Sequence, residues 1–246
     1  MKTEVTADID TLVKALREKE SSLCNDLPAE VIRDKIFELE LIESTNIRYK
    51  TGYTGRGHLD RHGRNVMTYT DGICKLMGMP DGERHVVAFA ARWHDIGKSK
   101  VPGELEMKDG KYTEGSWAEL KKHAGYSGEL IQPLTYPARI AKYHHRNVDG
   151  TGYPEVAEGD EVPPASAIIH VTDVFDAMTA RSVKYKNPDM RNLRKADDGD
   201  YYVHKDEFVI GMLKRRSGTE YDAEIVEYLE KVLKGKAMEY RLGGVL

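Results

Sequence analysis

The sequence predicts an all-α protein, and three observations predict it. Apolar residues recur at spacings of three and four through most of the 246 residues, the spacing that lines one face of a helix with 3.6 residues per turn. Alternation with a period of two, the mark of a half-buried strand, is almost absent. Glycine and proline fall mostly between the periodic segments, where helices stop and start. No repeat near the solenoid periods and no low-complexity tract competes with this reading.

Two amphipathic helices are expected first, over 8–20 and 28–43, the second opened by Pro28 at its first position and carrying Val31, Ile32, Ile36, Leu39 and Ile42. The stretch STNIRYKTGYTGRG reads as a loop ending where His58 starts a helix, with His62, Val66, Tyr69, Ile73 and Leu76 or Met77 on one side. A helix over 82–96 follows, closed by His94 and Asp95, with Gly97 as its left-handed cap. Ser116 and Glu119 form a capping-box pattern ahead of the helix that carries His123. Pro137 is expected to open the next helix, ARIAKYHH. ASAIIHVTDVFDAMTA then reads as a long buried helix, and Asp173 and Asp176 inside it need a reason, because burying a carboxylate without a partner is costly. After the polar stretch KNPDMRNLRKADDGDYYVHKD, helices are expected over 205–215 and 222–234, with Gly235 as a stop signal.

Composition narrows the function classes. The 37 basic and 41 acidic residues give a net charge of -4 and form no basic block, which speaks against duplex nucleic acid as a partner. The longest apolar run, VVAFAA, is far shorter than the ~20 residues of a membrane span, and MKTEVTADID lacks the apolar core of a signal peptide. The expectation is a cytoplasmic protein with no membrane partner. Cys24 and Cys74 lack the spacing of a metal or redox pair, so any metal must take nitrogen and oxygen ligands. Taken singly, a His-Asp pair, a histidine on a half-apolar helix or a DGTGYP turn carries little meaning. Together, five histidines and two aspartates sit near helix ends or on buried faces. One site gathering them would suit iron, manganese, zinc or nickel, whereas magnesium and calcium favour an all-oxygen shell.

The order His62, HDIGK at 94–98, His123, HH at 144–145, DGTGYP at 149–154 and VTDVFDAMT at 171–179 resembles the HD-GYP family. The likeness covers 58–186, and RRSGTEYDAEIVEYL is similar to the helical ending of such domains. It implies an α-helical, metal-dependent phosphodiesterase that hydrolyses cyclic di-GMP to a linear dinucleotide and on to GMP, using two or three iron or manganese ions. By this resemblance His62, His94, Asp95 and Asp173 hold one metal, and Asp95 bridges to a second held by His123, His144 and His145. Such a metal pair activates water for in-line attack at phosphorus, so no side-chain nucleophile is needed. Lys98 is then expected to neutralise charge on the substrate phosphate. Arg181 and Lys184 resemble the family's phosphate-clasping pair with a spacing off by one, and His58, four residues before His62, is a candidate ligand for a third metal.

In the loop, Gly150 and Gly152 are expected to fold the backbone away tightly and Pro154 to stiffen it, while Asp149 orients an imidazole. Tyr153 is expected to face the substrate cleft or a partner such as a diguanylate cyclase. Arg146 departs from the pattern of the family this chain resembles, in which a glutamate often follows the paired histidines, and the departure is expected to reverse charge beside the metals. Residues 1–50 read as an N-terminal helical extension, a cap or a homodimer contact, and 51–246 as the catalytic domain with a polar insertion near 187–204. Two alternatives stay open. One is an HD-type phosphohydrolase acting on another cyclic dinucleotide or a nucleotide. The other is a non-catalytic module that senses a nucleotide or docks a cyclase.

Overall fold

In the computed structural model, residues 9–23, 25–45, 58–102, 105, 107–108, 111–180 and 205–242 are described. The chain order is α1 (Ile9–Ser22), α2 (Ala29–Thr45), α3 (His58–Leu76), α4 (Asp81–Trp93), a 3-10 helix (Ile96–Lys100), β1 (Met107–Lys108), β2 (Lys111–Tyr112), α5 (Glu114–Ile131), α6 (Thr135–Lys142), β3 (His145–Arg146), β4 (Gly152–Tyr153), α7 (Ala165–Ala180), α8 (Lys205–Arg215) and α9 (Ala223–Leu242). The fold is all-α apart from two short antiparallel hairpins, β1 with β2 and β3 with β4. Strands of two residues are too short to leave an alternating pattern in the sequence. Among the described residues no helix is long and apolar enough to cross a membrane.

Helix α4 lies at the centre. Its VVAFAA run at 86–91 is apolar around the whole circumference, the pattern of a helix covered on every side. Val87, Ala90 and Ala91 face one core with Val66, Ile73, Ile169, Phe175, Leu213 and Leu229, drawn from α3, α7, α8 and α9. Val86, Phe89 and Trp93 face a second core with Leu16, Ile32, Leu39, Ile131 and Ala141, which brings in α1, α2, α5 and α6. The N-terminal pair is therefore packed into the same body as the helices that follow. Glu20 fixes this join. It is fully buried in α1, and its two carboxylate oxygens accept the Tyr136 backbone N–H at 2.9 Å and the Asn25 amide at 2.6 Å. The carboxylate thus caps the N-terminus of α6, where unpaired N–H groups and the helix dipole favour a negative charge.

Several boundaries differ from the sequence expectation, each for a local reason. Pro28 stands before α2, and its carbonyl accepts the Ile32 N–H, so the helix starts at Ala29. Helix α4 stops at Trp93, and Gly97 lies inside the 3-10 helix without a positive φ, so it is no left-handed cap. The cap of α5 is Thr113, whose side chain accepts the Ser116 N–H, while Glu119 turns outward to Lys122. Helix α6 begins two residues before Pro137 and ends at Lys142, which leaves His144 in a turn and His145 in β3. Gly235 does not stop α9, which runs on to Leu242. The loop at 46–57, the segment 181–204 and the side chain of His58 lie outside the described residues, and with them Arg181, Lys184 and the polar insertion.

Candidate metal centre

Five parts of the fold deliver seven side chains to one place. His62 comes from α3, His94 and Asp95 from the turn after α4, His123 from α5, His144 and His145 from the end of α6 and β3, and Asp173 from α7. They form two groups, His62, His94, Asp95 and Asp173 in one and His123, His144 and His145 in the other, each with donor atoms within 4.8 Å of one another. Asp95 stands between them. Its Oδ2 lies 3.6 Å from both His62 Nε2 and His94 Nε2, and its Oδ1 lies 3.3 Å from His123 Nε2. His123 Nε2 also faces His145 Nε2 at 3.2 Å, and Asp173 Oδ1 is 3.0 Å from His62 Nε2.

Glycines let these backbones approach. A Cβ at Gly63, next to His62, would sit 2.6 Å from the Arg92 carbonyl oxygen, so glycine is what seats α3 against α4. A Cβ at Gly97 would sit 2.1 Å from the His123 carbonyl oxygen and 2.4 Å from the Ser127 nitrogen, so glycine is also what seats the 3-10 helix against α5. Gly97 N–H donates to Ser127 Oγ at 2.9 Å across this contact. In the hairpin, Gly150 and Gly152 have φ of 85° and 90°, a conformation that side-chain-bearing residues rarely adopt. A Cβ at Gly152 would meet the His145 carbonyl oxygen at 2.3 Å.

The imidazoles are held by their Nδ1 atoms. His94, His123 and His144 each donate Nδ1–H to the carbonyl three residues earlier, Ala91 at 2.7 Å, Leu120 at 2.6 Å and Ala141 at 2.6 Å. His62 Nδ1 contacts Asp176 Oδ2 at 2.7 Å, and Asn65 donates to the other oxygen of Asp176 at 2.8 Å. A carbonyl or carboxylate on one ring nitrogen fixes the tautomer and turns the second nitrogen toward the site, as metal-ligating histidines require. The reason for Asp176 inside the apolar helix is therefore His62. Neither that role nor the contacts of Gly63 and Gly97 were among the expected site features, although a buried acid inside an apolar helix is the signal that marks Asp176, whereas the tight fold at Gly150 and Gly152 is the expected one.

Charge is arranged to match. Burial pushes His123 down to about 4 and holds His144 and His145 well below the usual histidine range, leaving them neutral at pH 7. Burial also acts to lower His62, but hydrogen bonds to Asp173 and Asp176 and the nearby carboxylate charges override it and raise its pKa to about 10. Burial acts to raise Asp95, yet the Lys98 ammonium and the histidines bring it well below the usual carboxylate range. Asp173 is depressed likewise, with His62 and His94 outweighing burial. His94 Nε2, His144 Nε2 and Asp95 Oδ1 are buried without a hydrogen-bond partner. An unsatisfied buried polar atom costs about 1–3 kcal/mol, so three at one place call for a positive group among them. Nitrogen and carboxylate donors in this arrangement fit a divalent cation.

The surrounding residues divide. Lys98, on the 3-10 helix, forms an ion pair with Asp95 Oδ2 and keeps about a third of its side chain exposed, at 32%. Tyr153 is half-buried with its ring against His145, centroids 4.6 Å apart. Asp149 does not orient an imidazole. It is exposed, and its Oδ1 accepts the Thr151 N–H and hydroxyl at 2.9 and 2.6 Å, closing the turn on itself. Arg146 does not bring its charge to the metal centre but clips the hairpin, donating to the carbonyls of Gly150, Gly152 and Pro154. The turn before α9 supports the same hairpin through Val148 N–H to Glu220 O and Asp149 N–H to Thr219 O. His170, also not anticipated, is buried with its ring 5.0 Å from Tyr221 and 6.0 Å from His145.

Comparison with known proteins gives this geometry its context. A 3'3'-cGAMP-specific phosphodiesterase of Vibrio cholerae is 38% identical over 134 residues, which cover 53% of this chain and 28% of that protein. A cyclic di-GMP phosphodiesterase of Thermotoga maritima is 31% identical over 186 residues, covering 74% of this chain and 46% of that protein. The chain thus spans about a quarter to a half of the length of these curated relatives. A solved HDG"Y"P protein of Bdellovibrio bacteriovorus covers 95% of this chain and 75% of its own at a TM-score of 0.55 and 16% identity, a likeness of fold. The family model described as HD domain matches residues 54–197, more than half of the chain and the stretch that carries all seven converging side chains. The HDIGK turn that supplies His94 and Asp95, and the GYP hairpin closing over His145, are therefore features of a chain that belongs to the HD domain family, in its HD-GYP form.

Proposed function

We propose that this chain is a metal-dependent phosphodiesterase that hydrolyses cyclic di-GMP to the linear dinucleotide, with GMP as a further product. The observation that carries the reading is Asp95, which turns one oxygen toward His62 and His94 and the other toward His123. Such a carboxylate suits two cations sharing one ligand. In this reading His62, His94, Asp95 and Asp173 hold one ion, and Asp95, His123, His144 and His145 hold the second. Iron or manganese matches the nitrogen and oxygen donors. When bound, a metal pair supplies Lewis acidity to the phosphoryl oxygens and lowers the pKa of water to near neutrality.

The chain's own residues supply positioning and charge. Carbonyls of Ala91, Leu120 and Ala141 keep three imidazoles from rotating, and Asp176 does the same for His62. Lys98, at the exposed edge beside Asp95, meets the negative charge that a phosphodiester brings and that grows on its oxygens during displacement. A third ion at His58, and a phosphate clasp by Arg181 and Lys184, remain part of the proposal. So does a cytoplasmic setting, where a soluble cyclic dinucleotide would meet the site.

A second reading has a specific observation in its favour: a relative at 38% identity is named for 3'3'-cGAMP. Protein purified anaerobically and loaded with iron or manganese, then given each cyclic dinucleotide, decides between them by product chromatography. Linear pGpG from cyclic di-GMP supports the first reading, and turnover confined to 3'3'-cGAMP supports the second. Two bound ions with no hydrolysis of any cyclic dinucleotide would leave a binding module and defeat both.

A further inference from the structure

Beside the metal centre is an aromatic corner that the chemistry above does not use. Trp117, on the first turn of α5, is 43% exposed, whereas Trp93 is 5% exposed in the core. The Trp117 ring meets the Tyr153 ring at 6.1 Å and 83°, edge to face, so the two planes form a corner. They do not stack. Tyr153 in turn lies 4.6 Å from the His145 ring and 6.2 Å from His123, which places the corner two ring steps from the metal-binding nitrogens. Lys121 follows Trp117 by four residues, on the same face of α5. Its ammonium stands 6.0 Å from the centroid of the Tyr153 ring, with no carboxylate partner among the described residues. A partly exposed indole, an ammonium with no ion pair among the described residues and the candidate metal centre thus adjoin one another.

We propose that Trp117 and Lys121 form the seat for one purine base of the substrate and its adjoining phosphate oxygen, with Tyr153 as the back wall. This rests on the reading of the centre as a cyclic dinucleotide phosphodiesterase and adds the residues that hold the base. An indole face accepts any purine, because stacking uses the π surface and not the hydrogen-bonding edge. Trp117 therefore favours cyclic dinucleotides as a class and is indifferent to guanine against adenine. Lys121 adds charge attraction, which weakens as salt rises.

Two readouts test the seat. The first is fluorescence: the chain has two tryptophans and Trp93 is buried, so a base on Trp117 is the event that quenches the exposed emission. GMP titrated into metal-loaded protein is expected to quench wild type and to leave Trp117→Phe unchanged. The second is steady-state kinetics. Stacking is worth about 1–3 kcal/mol per base, roughly 5- to 150-fold. Trp117→Ala is thus expected to raise KM for cyclic di-GMP and 3'3'-cGAMP by about tenfold each, with the loss falling on KM more than on kcat and with metal content unchanged. Trp117→Phe recovers most of it, and Lys121→Gln raises KM by a smaller factor that vanishes at high salt. Unchanged KM in Trp117→Ala, or equal quenching by GMP in Trp117→Phe, overturns the seat. Wild-type protein that GMP quenches but that hydrolyses no cyclic dinucleotide keeps the seat and removes the reading beneath it.

Discussion

Replacing Gly97 with alanine tests whether close backbone contact, and not ligand identity alone, holds the two halves of the centre together. The new Cβ would lie 2.1 Å from the His123 carbonyl oxygen and 2.4 Å from the Ser127 nitrogen, where real Cβ contacts essentially never fall below 3.0 Å. Both obstacles are backbone, so the 3-10 helix and α5 must part by about 0.9 Å. That motion carries Asp95 away from His123, whose donor atoms are now 3.3 Å apart, and strains the Gly97 bond to Ser127 Oγ. Overpacking of this kind costs about 1–3 kcal/mol, which for a chain of this size lowers Tm by ~2–12 °C. The more telling effect is on metal. The His62, His94, Asp95 and Asp173 group does not draw on α5 and is expected to keep its ion, while the His123 group loses its own, so metal content falls from two to one per chain. Elemental analysis and thermal melts read both quantities. Gly115, on α5 with open space around its Cβ, is the control, and Gly115→Ala should leave metal content unchanged and Tm unchanged or slightly raised, as alanine is the better helix former. Gly97→Ala with two ions, full turnover and an unmoved Tm would refute the reasoning.

Asp95→Ala removes the shared carboxylate, so it should release at least one ion and abolish turnover while far-UV circular dichroism stays helical; full activity would remove the two-ion reading. Lys98→Ala should lower kcat by ~10²-fold, the usual scale for a lost electrostatic donor, with metal content unchanged, and metal loss on that substitution would reassign Lys98 to holding Asp95. The metal-free protein should be most stable near pH 6.5. His123, depressed to about 4 by burial, contributes stability that is present above its unfolded value and lost as pH falls from 6.5 toward 4, and one pKa unit is about 1.4 kcal/mol. His62, raised to about 10, contributes stability present below 6.5 and lost as pH rises through 10. Loading with manganese should flatten the alkaline limb, because ligation takes the neutral imidazole. Melts across pH with and without metal check this, and identical profiles would oppose it.

The helices were legible because their apolar faces repeat, and the candidate ligands because histidine and aspartate are conspicuous at helix ends. What escaped was set by contacts between distant segments. Gly97 reads as a cap from its position after a helix, but its real constraint is α5, thirty residues later in the chain at Ser127. Thr113 displaced Ser116 as the cap because the chain turns out of a hairpin there, which a local pattern does not encode. Arg146 suggested altered charge at the metals, yet its guanidinium is spent on three hairpin carbonyls. A sequence gives a side chain's charge but not its partner.

The same distinction bears on the N-terminal helices. A cap that merely covers the centre would leave it intact on removal, but α4, α5 and α6, which deliver or lead into His94, His123 and His144 of the candidate metal centre, are each tied to α1 or α2. Glu20 caps α6, which ends two residues before His144. Glu43 of α2 takes a two-bond grip on Arg92, at 2.6 and 2.8 Å, two residues before His94. Lys35 of α2 donates to the Leu130 carbonyl at 3.2 Å, on the helix that carries His123. Leu16, Ile32 and Leu39 are fully buried against these same helices, so the polar ties and the apolar packing act together. Bringing seven polar side chains together in a buried place costs their desolvation, and groups held only by flexible loops would turn away to water. The packing that prevents this includes α1 and α2 along with the motif-bearing helices.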